Sequence, residues 1–328
     1  MSSTLIACWL GAAAAALAMP PACASSTQSW PSKPVHIVVP APAGSSLDVV
    51  ARVLSEKLWP MWNRPVVVEN KPGAGGLIGV DAAAKAQPDG HVLALGFNGP
   101  LAFAPFLYSK MPYDVGRDLA PVILASSQPN VLAVTATLPP RSVASFIAWA
   151  RAQPPRTLGY ASIGSGSSSH LAMELFIRQA GFAAVHVPYQ GSPAAALSVA
   201  RGETQLLFAV ASGVMPQAQS GQIRLLAVTS AQRFQGLEQL PTLAESGFPG
   251  FVADAWNGLV AAAATPAPVV DRINADVLRV LASREVQGRL RTLGMAAGGG
   301  TPASFGTLIE SERKRWGPVI RQADIRLE

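Results

Sequence analysis

Charge is scarce in this chain. Only 13% of its 328 residues are Asp, Glu, Lys or Arg, and the formal net charge of +6 is spread thinly along it. The longest basic run is Arg313-Lys314-Arg315, and no basic stripe interleaves with aromatics, which argues against a nucleic-acid surface. Cysteine is scarcer still: Cys8 and Cys23 are the two, both near the N-terminus, so neither a disulfide framework nor thiol chemistry is expected of the rest. The four histidines (His36, His91, His170, His186) have no metal-ligand spacing, and no metal or other cofactor is expected. No Gly-x-Ser-x-Gly elbow occurs, which weakens a serine hydrolase reading. Gly73-x-Gly-Gly-x-x-Gly79 misses the dinucleotide fingerprint by one residue, and Leu101 and Ala102 stand where its acid would be. That glycine cluster reads instead as a loop packed closely on a helix.

The N-terminus is rich in apolar and small residues. Leu5 to Met19 is too short to span a bilayer comfortably, and Ala22-Cys-Ala24 offers a small-x-small cleavage site, so residues 1–24 are expected to be a signal peptide. The usual basic n-region is missing, since the first Lys or Arg is Lys33. No later segment is long and apolar enough for a membrane span, so export to the periplasm without an anchor is the expectation.

From Val35 onward the chain alternates strand and helix patterns with short connections, the sign of a parallel α/β sheet. Two units stand out. Val35-His-Ile-Val-Val39 is a β-branched run leading through Pro40 and a Gly/Ser loop into a helix, with Ser45 and Asp48 in a capping-box spacing. Leu158-Gly-Tyr-Ala161 leads likewise into Ser162-Ile-Gly-Ser-Gly-Ser-Ser-Ser169 and the helix from His170. Each would aim backbone N–H groups and the positive end of a helix dipole at an anion, most simply a carboxylate. On its own, either stretch is equally a capped turn or an exposed loop. Ser169 and His170, adjacent on a helix, point in different directions, so their proximity does not make a catalytic pair. Five tryptophans (Trp59, Trp62, Trp149, Trp256, Trp316) are expected in the core, with Trp256 as a candidate cleft wall.

Several of these motifs together are familiar. Trp30-Pro-x-Lys-Pro34, the Pro40–Asp48 loop, Val66-Val-Val-Glu-Asn-Lys-Pro-Gly-Ala-Gly-Gly-x-Ile-Gly79 and Pro88-Asp-Gly90 resemble the Bug family, extracytoplasmic solute receptors of tripartite tricarboxylate transporters. Met111-Pro-Tyr-Asp114, Gly164-x-Gly-Ser-Ser-Ser-His-Leu-Ala172, His186-Val-Pro-Tyr-x-Gly191, Leu226-Ala-Val-Thr-Ser230 and Pro241-Thr-Leu-Ala-Glu-x-Gly247 extend the likeness in order along the mature chain.

The resemblance implies a two-lobed α/β periplasmic binding protein of type II with its ligand cleft between the lobes. One lobe would comprise residues 30–128 and 256–328, the other 129–255, with crossovers near Pro121–Thr135 and Phe251–Leu259. It implies a monomer, not an enzyme, which captures a small organic carboxylate and meets membrane transporter subunits transiently. A sensing receptor, or less readily an exported hydrolase using Ser165–Ser169 with His170, remains as an alternative. The expected ligand-binding set is Ala43, Gly44, Ser45, Ser46, Asp48 and Asn98 from one lobe. Ser162, Ser165, Gly166, Ser167, Ser168, Ser169, Tyr189 and Ala209 would come from the other. Asp48 is expected to organise its loop, because two negative charges in contact repel. Departures from the family pattern include Ala41 for an aromatic, Ala43 and Ser45 for Pro and Gly, Leu77 for Asn, Asn257 for an aromatic, and Ala209 for a frequent Asp.

Overall fold

A computed structural model describes residues 30–322 and 324–327. The expected signal segment, with Cys8 and Cys23, lies outside them. Along the chain, β1 (Val35–Val39) leads to α1 (Ser46–Trp62), β2 (Val66–Asn70) to α2 (Leu77–Ala84), and β3 (Val92–Phe97) to the short α3 (Ala104–Leu107) and α4 (Val115–Asp118). Only Pro129 separates β4 (Leu119–Gln128) from β5 (Asn130–Thr135). Then come α5 (Val143–Arg151), β6 (Gly159–Ser162), α6 (Ser168–Ala180), β7 (Val185–Pro188), α7 (Ser192–Ala200), β8 (Leu206–Val210), α8 (Ala211–Gln219) and β9 (Ile223–Val228). The chain finishes with β10 (Ala255–Ala262), α9 (Ala267–Leu281), α10 (Arg284–Thr292), β11 (Ala296–Gly299) and α11 (Pro302–Gln322).

The strands make two sheets, ordered β11-β4-β10-β3-β1-β2 and β7-β6-β8-β5-β9. β1, β2 and β3 run parallel, as do β6, β7 and β8. The sheets are nevertheless mixed rather than parallel. β10 is antiparallel to β3 and β4, β11 to β4, and β5 to β8 and β9. β5 and β10 are the first strands after the chain has changed sheet, so their direction follows from where the chain re-enters and not from a βαβ crossover. Local sequence does not carry that information.

The apolar residues account for the layers. Val35, Ile37 and Val39 of β1 pack with Val50, Val53, Leu54 and Leu58 of α1 and with Val270, Ile273, Val277 and Val280 of α9. The spacings along both helices put these side chains on one face. In the second sheet Val131, Ala133, Ala161, Leu207 and Ala209 pack on Ala195, Ala196, Val199 and Val214 of α7 and α8. Trp62, Trp256 and Trp316 are buried, but Trp59 is 53% exposed on the outer face of α1, so a core position for it is corrected. Among the described residues no helix is long and apolar enough to cross a membrane.

Candidate functional site

The parallel strands of each sheet end at one edge. In the first sheet, loops 40–45 and 71–76 and the segment from Asn98 leave the ends of β1, β2 and β3. In the second, loops 163–167 and 189–191 leave the ends of β6 and β7. Ligand crevices of α/β sheets lie at such carboxyl edges. Here the two edges touch. A Cβ added to Gly166 would lie 2.7 Å from Leu107 Cδ1 and 2.9 Å from Leu327 Cδ1, and one added to Gly75 would lie 4.0 Å from Ser165 O. Leu327 is itself held at the end of α3, its N–H donating to Leu107 O at 2.7 Å.

On the first edge Ser45 is the N-cap of α1, its Oγ accepting from Asp48 N at 3.3 Å. The reciprocal half of a capping box is replaced: Asp48 Oδ2 accepts from Gly44 N (2.9 Å) and Arg52 Nε (3.0 Å), and Oδ1 from Asn70 Nδ2 (3.0 Å). Burial pushes the Asp48 carboxyl up, but the bonds from Arg52, Gly44 and Asn70 outweigh it and hold the group below its ordinary range. Asp48 therefore faces into its own loop. Gly44 takes a left-handed φ of 79°, and Ala43 beside it is exposed. The Ser46 hydroxyl has no partner among the described residues, and the N–H groups of Ser46 and Leu47 sit uncapped in the first turn.

On the second edge Ser167 caps α6, accepting from His170 N (3.3 Å) and donating to Gly164 O (2.6 Å). Ser169 donates to Phe208 O on β8, and Ser162 Oγ pairs with His186 Nε2 at 2.7 Å. Gly166 N donates to His170 Nδ1 (3.1 Å). Burial lowers the His170 pKa to about 3, with the charge of His186 adding to the effect, and lowers His186 to about 4. Both rings are therefore neutral at neutral pH, and the Nδ1 lone pair of His170 is already taken by a backbone N–H. Ser169 and His170 do not meet as nucleophile and base.

The hydroxyls thus divide. Those of Ser162, Ser167 and Ser169 are committed to the chain. Ser45 Oγ accepts from Asp48 N but has no acceptor for its own hydrogen among the described residues, and those of Ser46, Ser165, Ser168 and Tyr189 have no intramolecular partner there. Asn98 belongs with the committed group: it is 1% exposed, Nδ2 reaches Asp254 O (3.2 Å) and Glu312 Oε2 (3.4 Å), and Oδ1 accepts from Trp256 N (2.9 Å). Ala209, next to the end of β8 and level with Ile163 by the strand register, is fully buried, its side chain in the apolar layer under α7 and α8. Sequence reasoning passed over Glu312 and Asp254, whose partners are far away along the chain. Neither the 40–45 loop nor the 163–167 loop carries a Lys or Arg, so an anion between them is met by neutral hydroxyls and backbone N–H groups, while Lys71 of the 71–76 loop is paired with Glu69 at 3.1 Å.

The contact at Gly166 gives a prediction. Its φ is +73° and a Cβ has Leu107 and Leu327 in the way, so Gly166→Ala should hinder closure of the edges. The expected result is a roughly tenfold weaker ligand affinity, about 1.4 kcal/mol, beside a loss of about 1–2 kcal/mol of folding stability from the left-handed φ. Calorimetric titration beside thermal melts checks it, and an unchanged affinity would mean that the edges do not close through Gly166.

A family model described as "Tripartite tricarboxylate transporter family receptor" matches residues 50–325. Protein BugT of Bordetella pertussis is 34% identical, covering 92% of this chain and 93% of its own. An R. palustris protein solved with adipate is 36% identical at a TM-score of 0.86, covering 90% of this chain and 99% of that one. MatC of Rhodopseudomonas palustris, solved with bound malate, is 30% identical at a TM-score of 0.82, covering 89% and 100%.

Proposed function

Since this chain belongs to the tripartite tricarboxylate transporter receptor family, we propose that it is an exported monomer that closes two lobes on a small aliphatic dicarboxylate. It is a solute-binding protein and not an enzyme, and it serves a membrane transporter of that class. Docking on the transporter subunits is transient, after cleavage of residues 1–24 and release into the periplasm. We take 30–128 with 256–328 as one lobe and 129–255 as the other.

The observation that carries the reading is the division of hydroxyls at two facing strand edges. Ser46 and the first-turn N–H groups of α1 would receive one carboxylate. Ser165, Ser168 and Tyr189, with the first turn of α6, would complete its shell or receive the second. Relatives that hold adipate and malate support the ligand class. Ligand contact on both lobes is required, because only a difference in affinity between open and closed forms shifts their balance.

The test is a thermal-shift series on residues 25–328 with C4 to C8 dicarboxylates, matching monocarboxylates and matching diamides. A ligand at 100 times its dissociation constant adds about 2.7 kcal/mol of stability. A shift with diacids and none with diamides is expected. The double change Ser46→Ala with Ser168→Ala should weaken binding about tenfold or more, as hydrogen bonds to charged groups are worth about 1.5–3 kcal/mol each. Equal shifts from acid and amide would sink the carboxylate assignment, and a dimer mass on gel filtration would sink the monomer.

A further inference from the structure

The two chain crossings between the sheets converge on one polar cluster. Gln128-Pro-Asn130 is the first crossing and Ala253–Ala255 the second. Asn130 Nδ2 donates to Ala253 O (2.7 Å), and Asn130 N donates to Thr229 Oγ1 (2.9 Å). Thr229, just beyond β9, has one hydroxyl hydrogen and two acceptors for it: Ala253 O at 3.1 Å and Asp254 Oδ1 at 3.2 Å. From the other lobe, Asn98 at the end of β3 ties Asp254 O and Trp256 N to Glu312 of α11. Trp256 Nε1 also donates to Glu312 Oε2 (3.4 Å). The charged groups facing Asp254 are Glu312 and Arg315, both on α11. Arg315 lies 3.8 Å from Glu312 Oε1 and also donates to Val252 O. Two carboxylates therefore share one partly exposed cation where the lobes join. Asn130 Oδ1, fully buried, has no partner among the described residues, so the network is one bond short of saturation.

We propose that Asp254 and Glu312 form a proton-gated clasp at the crossings, in which protonated Asp254 favours the closed arrangement of the lobes. This rests on the solute-receptor reading only for its biological use, not for its test. Protonated Asp254 donates to Thr229 Oγ1 and returns the threonine hydrogen to Ala253 O, so both acceptors are served. Ionised Asp254 takes that hydrogen and leaves a half-buried charge near Glu312. Consistent with this, burial raises the Asp254 pKa to about 6; the Thr229 bond opposes the rise, the charge of Glu312 adds to it, and Arg315 opposes it. Opening the hinge wets the crossings and returns the carboxyl toward its ordinary range. The closed form then binds the proton more tightly, and the closed fraction rises as pH falls through about 6.

Ligand-free protein suffices for the experiment. The described residues contain no cysteine, so Trp59→Cys and Leu197→Cys, both at exposed positions on opposite lobes, accept a pair of spin labels. Their distance distribution is read by pulsed electron resonance between pH 5.0 and 7.5. The expected result is a closed-to-open ratio that rises about tenfold on acidification, a fold-change set by the difference in proton affinity between the two forms. Asp254→Asn should remove the pH dependence. Glu312→Gln should keep it but move its midpoint lower. A pH-invariant ratio in the labelled parent, or a response that persists in Asp254→Asn, overturns the clasp. A clear pH response in a protein that binds no carboxylate would leave the clasp standing and overturn the dicarboxylate ligand instead.

Discussion

Asp48→Ala is expected to cost about 3 kcal/mol of folding stability and to weaken ligand binding more than tenfold. The side chain is nearly fully buried, and its two oxygens accept from Gly44 N, Arg52 Nε and Asn70 Nδ2. Deletion removes three hydrogen bonds to a charged acceptor, worth about 1.5–3 kcal/mol each, of which water at the exposed Gly44 and Arg52 recovers part. Asn70 keeps its bond to Ala41 O, so β2 holds while the loop from Pro42 to Ser45 loses its inner anchor. Asp48→Asn retains an acceptor but loses the charge opposite Arg52, and should fall between. The folded pKa of Asp48 lies below its unfolded value, so its contribution is complete above about pH 4 and is lost as pH falls through the lower folded value. Urea unfolding at pH 7 and pH 3, with titration of a dicarboxylate, measures both effects. An alanine variant within 0.5 kcal/mol of the parent that binds normally would show that the loop is held by something else.

The elements that sequence made legible are those decided within a few residues. The β-branched run of β1, the Ser45 cap and the apolar face of α1 needed no distant partner. The use of each serine was not legible, because it depends on strands far away. Ser169 finds its acceptor on β8, 39 residues along, and Asn98 meets Glu312 at a separation of 214. A hydroxyl in a Gly/Ser loop advertises hydrogen bonding without saying whether the chain or a ligand receives it. β11 went unread for a different reason: Ala-Ala-Gly-Gly has no strand propensity and is a strand only because β4 offers it an edge. Ala209 stands at a ligand position by the family pattern alone, and its own surroundings are apolar.

Acidification should expose the largest stored difference between folded and unfolded protonation. His170 and His186 stack with centroids 3.9 Å apart and planes 8° apart, and Tyr160 stacks on His186 at 4.9 Å. Unfolded histidines titrate near 6.5, whereas here burial first, and for His170 the neighbouring imidazole as well, lowers the pair to about 3 and about 4. Between pH 6.5 and 4 the unfolded chain therefore binds up to two more protons at these sites than the folded one, and stability falls as pH falls. Asp254 works in the opposite sense over pH 6 to 4, because its folded pKa is raised and the folded state holds the extra proton. The balance is about one proton, so unfolding free energy should drop on the order of 3 kcal/mol from pH 6.5 to 4.5, at about 1.4 kcal/mol per proton and pH unit. His170→Asn with His186→Asn removes the larger contribution and leaves Asp254, so the slope should change sign and the double variant should gain stability on acidification. Protonating His170 also breaks the bond from Gly166 N, so the ligand loop should loosen before the protein unfolds. Urea titrations at half-unit pH steps read the slope. A flat profile in the parent would mean that the stacked pair is not held neutral, and a double variant with the parent's slope would place the titrating groups elsewhere.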